Sequence, residues 1–85
     1  MKILLVEDEQ KTLMGIAKLI MDMPAEYELA GQARSGEEGL QKAIALHPDL
    51  IITDIQMSKM SGLDMIQELK ERKLECRYII LSGYA

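Results

Sequence analysis

The chain of 85 residues carries a formal net charge of -4 and is 48% hydrophobic, which fits one small globular domain and leaves no room for a second. An acidic balance, ten scattered basic residues and no Phe or Trp argue against this segment gripping nucleic acid. The lone Cys76 excludes an internal disulfide, and no apolar run is longer than a strand, so neither a signal peptide nor a membrane span is expected and the cytoplasm is the expected address.

In chain order, Lys2 to Val6 reads as a continuously apolar strand of the kind buried on both faces. From Leu13, the residues Leu13, Ile16, Ala17 and Ile20 recur at helical spacing until Pro24 stops the helix. Tyr27 to Ala33 is a weaker strand, and its Glu28 and Gln32 suggest a sheet edge. Ser35 and Glu38 form a capping-box pattern, in which the Ser35 hydroxyl accepts from the Glu38 N-H and the Glu38 carboxylate reaches back. The stripe Leu40, Ala43, Ile44, His47 continues that second helix to Pro48. His47 sits on its last turn, where it suits the helix dipole and needs no ligand role.

Leu50 to Asp54 is the third strand. A third helix is expected from about Gly62 to Lys73, capped by Ser61 with Asp64 at the capping-box position and with Leu63, Ile66 and Leu69 facing the core. Glu68 and Arg72 pair on its exposed side at i, i+4 spacing. Arg77 to Leu81 is the fourth strand. Strands alternating with helices through short connections imply an α/β fold with a parallel sheet and right-handed crossovers. The seven methionines read as core filler or loop packing.

Two apolar strands end in acid: Val6 is followed by Glu7-Asp8, and Ile51-Ile52-Thr53 by Asp54. Ligands of parallel α/β sheets bind beyond the carboxyl ends of the strands, and Glu7, Asp8, Asp54 and Ser82 all fall there. Three carboxylates on one rim repel unless a cation or raised pKa values relieve them. Oxygen ligands without His or Cys suit Mg²⁺ or Mn²⁺ better than Zn²⁺. With such a cation present, Asp54 has the chemistry of a nucleophile toward a phosphoryl group, and the Ser82 hydroxyl of a donor to that group once attached.

Those acids, the phrase from Asp54 to Gly62 and Leu81-Ser82-Gly83 resemble, in order and spacing, the receiver domain of two-component response regulators. The resemblance implies a flavodoxin-like, doubly wound parallel sheet of strand order 2-1-3-4 over these residues, with residues 1-85 forming the N-terminal portion of a receiver domain. It implies Asp54 as phosphoacceptor, Asp8 as a direct metal ligand, Glu7 as a ligand through water, Asp54 as a further ligand and the Gln56 backbone carbonyl completing the set. It makes Ser82 the switch hydroxyl and Gly62 the glycine that opens the third helix. The implied partners are a sensor histidine kinase and, through an output domain outside these residues, DNA whose transcription is regulated. The implied role is a regulated switch, not an enzyme.

Two departures stand out. Ser58 occupies a position where the family usually has Pro, which removes one φ restraint from the loop after Asp54. The sequence also stops at Ala85, before a fifth strand, the last helices and the family's active-site lysine. Tyr84 is not the family's switch aromatic. An alternative reading is therefore a receiver fragment that cannot accept a phosphoryl group and serves as a folding unit, or as a homo-oligomer paired through the exposed fourth strand. Gly31 to Gly36 copies the glycine spacing of a phosphate-binding loop, but Glu37 stands where that motif requires Lys, so a nucleotide-binding enzyme is disfavoured.

Overall fold

A computed structural model of the chain describes residues 1-81. Its elements are β1 (Lys2–Val6), α1 (Gln10–Met21), β2 (Glu28–Ala33), α2 (Gly36–Leu46), β3 (Leu50–Asp54), α3 (Gly62–Glu71) and β4 (Arg77–Leu81). All strand pairs are parallel, in the order β2-β1-β3-β4. The expected flavodoxin-like topology is what the chain adopts, with β2 at an edge as its Glu28 and Gln32 suggested.

Alternation along the strands divides the core in two. Leu4, Val6 and Ile51 point to one face and are covered by Ala43 of α2 and by Met65, Ile66 and Leu69 of α3. Leu5 points to the other face, where Leu13 and Ala17 of α1 cover it together with half-buried Ile16, Leu29 and Ile52. Thus β1 is buried on both sides, as a continuously apolar strand requires.

The helix ends follow local chemistry. Glu9, which sequence periodicity did not single out, caps α1 by accepting from the Thr12 N-H at 2.8 Å and the Thr12 hydroxyl at 3.0 Å. Ser35 caps α2 through the Glu38 N-H at 3.1 Å, as expected. Glu38 does not return to the Ser35 N-H, however. Its Oε1 accepts from the Arg34 N-H at 2.8 Å, one residue earlier, and Oε2 pairs with Lys42 at 3.2 Å. Hydrogen bonding to Arg34 holds the Glu38 carboxyl below its ordinary pKa, with Lys42 assisting.

Ser61 caps α3 through the Asp64 N-H at 3.1 Å. That helix ends at Glu71, earlier than the expected Lys73, because Lys73 takes φ 59°. The Lys73 N-H then donates to Lys70 and the Leu74 N-H to Leu69, a Schellman closure whose Leu74 packs on the core. Leu63 also departs from expectation: it is 51% exposed, and fully buried Met65 takes the core position assigned to it. Ile44 likewise turns outward, while Leu46 packs inward. The methionines divide between packing at Met57, Met60 and Met65 and exposure at Met1, Met14, Met21 and Met23.

Candidate metal centre

The register of β1 and β3 brings the acids together. Val6 opposes Thr53 in the last pair of the two strands, so Glu7 and Asp54 each lie one residue beyond it, side by side at the carboxyl rim. Asp8 follows at the mouth of the β1-α1 loop. One carboxylate oxygen from each of Glu7, Asp8 and Asp54 lies within 4.8 Å of the others. Glu7 is buried, and Asp8 and Asp54 are partly buried.

Backbone contacts fix two of the three acids. The Glu7 N-H donates to the Ala33 carbonyl at 2.9 Å, extending the β1-β2 ladder, and Glu7 Oε2 accepts from the Glu9 N-H at 3.0 Å. Asp54 Oδ1 accepts from the Ile55 N-H at 2.7 Å. Burial pushes the Glu7 carboxyl up from its ordinary pKa; the Glu9 hydrogen bond opposes the shift, and the charges of Asp54 and Asp8 reinforce it. Among the described residues, no ion pair reaches any of the three acids. An all-oxygen cluster with unrelieved repulsion fits a hard divalent cation, which would bring its own waters.

Gln56 is exposed on the loop two residues beyond Asp54. That loop is closed by the Gly62 N-H donating to the Ile55 carbonyl at 2.8 Å. Gly62 is required by space: a Cβ there would lie 2.0 Å from the Asp54 carbonyl oxygen. Lys59 and Met60 turn the loop with φ 52° and 79°, and their carbonyls accept from the N-H groups of Glu37 and Gly36 at the start of α2.

Leu81 opposes Asp54 in register, while Ser82, Gly83 and Tyr84 lie outside the described residues. Arg34 is a neighbour that no sequence pattern marks: its Nη2 donates to the Asp8 carbonyl at 3.0 Å. Gly31 to Ala33 lie within β2, so the stretch with phosphate-loop spacing is largely strand.

The sequence matches the response regulator receiver domain family over residues 3-85. The chain belongs to that family. This receiver is 36% identical over 80 residues to the nitrate/nitrite response regulator protein NarL of Escherichia coli K12, covering 94% of this chain and 37% of that protein. It is similar in structure to the N-terminal domain of an uncharacterized protein from Wolinella succinogenes, with TM-score 0.90 and 33% identity, covering 100% of this chain and 66% of that one. It is also similar to the response regulator protein TrrA from Thermotoga maritima, solved in complex with Mg²⁺-BeF, with TM-score 0.84 and 32% identity, covering 99% of this chain and 70% of that one. The receiver therefore spans little more than a third of NarL and about two thirds of these solved chains. No helix among the described residues is long and apolar enough to cross a membrane.

Proposed function

We propose that this receiver accepts a phosphoryl group on Asp54 from a histidine kinase, in a step that depends on Mg²⁺ or Mn²⁺, and so controls an output domain that binds DNA and regulates transcription in the cytoplasm. The convergence of Glu7, Asp8 and Asp54 within 4.8 Å, with no paired cation among the described residues, is the observation that carries this reading. The Mg²⁺ complex of TrrA and the regulator name of NarL support it by relationship.

In this reading Asp8 would bind the cation directly, Glu7 through water, and Asp54 and the Gln56 carbonyl would complete the protein's share. A cation held by these residues would neutralise the rim and draw charge from the phosphoryl oxygens. An Asp54 oxygen attacks phosphorus as the bond to the donor nitrogen breaks, the bonding pair leaving on that nitrogen. The Ser82 hydroxyl donates to a phosphoryl oxygen only when Asp54 is modified, which makes the chain a switch and not a turnover catalyst. Acetyl phosphate with Mg²⁺ is expected to add one phosphoryl group by intact mass, and Asp54→Asn or EDTA to abolish it. Cation binding with an unchanged mass would defeat phosphotransfer and favour the incompetent-fragment alternative.

A second reading rests on β4, whose only strand partner among the described residues is β3. Its Ile79 and Ile80, on opposite faces, are 48% and 44% exposed. A second copy paired along this edge would satisfy its backbone and cover both side chains. Sedimentation at high concentration is then expected to show a dimer that Ile79→Lys weakens; a clean monomer would count decisively against it.

A further inference from the structure

The turn between β2 and α2 holds both loops that carry the acids. On one side Arg34 Nη2 donates to the Asp8 carbonyl at 3.0 Å, joining residues 26 positions apart. On the other, the Gly36 and Glu37 N-H groups donate to the carbonyls of Met60 at 3.1 Å and Lys59 at 3.0 Å. The first N-H groups of a helix have no partner within it, so the loop that follows Asp54 supplies what α2 lacks.

The contact is close and directional. A Cβ on Gly36 would lie 2.2 Å from the Met60 carbonyl oxygen and 2.9 Å from that of Ser61, both backbone atoms that cannot swing aside. The loop meets the helix by turning Lys59 and Met60 into positive φ, a conformation non-glycine residues adopt only when their surroundings hold them there. The turn itself is braced, because Glu38 accepts from the Arg34 N-H at 2.8 Å and Ser35 from the Glu38 N-H at 3.1 Å.

We propose that this turn is a positioning clamp: Arg34 and Gly36, neither of which belongs to the acidic cluster, set the distance between the Asp8 loop and the loop running from Asp54 to Gly62. The inference rests on the acidic cluster being a cation site. Contacts outside the ligand shell commonly change metal affinity by roughly 10- to 100-fold, since they decide whether ligands on separate loops meet one ion. Arg34 and Gly36 are positioning residues in this sense.

The test compares the 85-residue chain with Gly36→Ala, Arg34→Gln and Gly15→Ala, the last a control whose added methyl meets nothing within 4 Å. Mn²⁺ affinity is read from the electron paramagnetic resonance of the free ion, and amide exchange is read separately in EDTA. Gly36→Ala and Arg34→Gln are each expected to weaken Mn²⁺ by about tenfold, and Gly15→Ala to leave it unchanged. Without metal, Gly36→Ala is expected to speed exchange of the Gly62 amide, which closes the loop on Ile55, and Arg34→Gln that of the Glu9 amide on Glu7.

Should Gly36→Ala fail to fold, Arg34→Gln carries both measurements, since Arg34 is exposed. Folded variants with wild-type Mn²⁺ affinity and wild-type exchange would overturn the clamp. A wild-type chain that binds no ion, alongside faster exchange in the variants, would defeat the cation reading and leave the clamp standing. No ion bound and unchanged exchange would defeat both.

Discussion

Gly62→Ala is expected to destabilise the chain by about 3 kcal/mol, near the upper end for inserting one methyl group into a packed site. The added Cβ would lie 2.0 Å from the Asp54 carbonyl oxygen and 3.0 Å from Thr53 Oγ1. Neither neighbour is free to yield. Asp54 is held in register with Leu81, Thr53 is fully buried with its hydroxyl on the Asp54 carbonyl at 2.9 Å, and the Gly62 N-H is bonded to Ile55. Relief must therefore come from moving α3 or from opening the loop that begins at Asp54. Helix propensity runs the other way, favouring alanine by up to about 1 kcal/mol in a helix interior, so a loss here isolates the steric contribution. Urea denaturation read by circular dichroism measures it, with Gly15→Ala as the opposite case: its methyl enters open space in α1 and should stabilise by about 0.5-1 kcal/mol. Equal midpoints for Gly62→Ala and the wild type would show that the Asp54 carbonyl is not pressed against α3. For a domain of this size, with total stability of roughly 5-10 kcal/mol, the expected loss is a large fraction of the whole.

The same close packing separates what the sequence discloses from what it hides. The bounds of β1, β3 and β4 are legible because each is a short, largely apolar run that ends in polar residues, whereas the mixed β2 is not so marked; the pairing of Val6 with Thr53 makes the acids after β1 and at the end of β3 converge. Helix faces are less legible. Periodicity alone could not choose between Leu63 and Met65, two residues apart on α3; the choice is made by the groove between α3 and the sheet, where Met65 lies close to Gly39 of α2. The Ser35 cap was visible as a local pattern, whereas the turn of Glu38 to Arg34 depends on the path of the chain before the helix. Arg34 carried no signal at all, since its partner is a backbone carbonyl on another loop and every residue has one. Gly36 is marked in the sequence by a phosphate-loop spacing, which has no such role once Gly31 to Ala33 lie in β2. Its approach to Met60 follows from two positive-φ residues that are neither Gly nor Asn, types for which sequence rules predict no such turn.

Glu7→Gln should reverse the order of stability with and without Mg²⁺. Without metal, the buried Glu7 carboxylate stands beside Asp54 and Asp8, and its pKa is raised above the ordinary 4.5. Its folded form therefore holds the proton more tightly than its unfolded form does, so its contribution is fully present below the unfolded pKa and is lost as pH rises through the folded one. Glutamine keeps an oxygen for the Glu9 N-H while removing the charge. In EDTA at neutral pH the variant is expected to be more stable than the wild type by about 0.5-1 kcal/mol, a modest figure because Asp8 and Asp54 are only partly buried and water screens their side of the repulsion. The gap should close as the solution is made acid. With Mg²⁺ at about 100 times its dissociation constant, the wild type should gain about 2.7 kcal/mol, since only the folded chain assembles the three acids. Glu7→Gln, short of one charge, should gain much less and become the less stable of the two. Thermal melts in EDTA and in Mg²⁺ measure both differences in one preparation. Equal gains from Mg²⁺ would remove Glu7 from the cation site, and a variant less stable in EDTA would mean that the Glu7 charge itself supports the fold, by strengthening the hydrogen bond from the Glu9 N-H, which a neutral amide accepts more weakly. The crossing itself separates a charge kept for a cation from a charge kept for the fold, because only the first is a burden until the cation arrives.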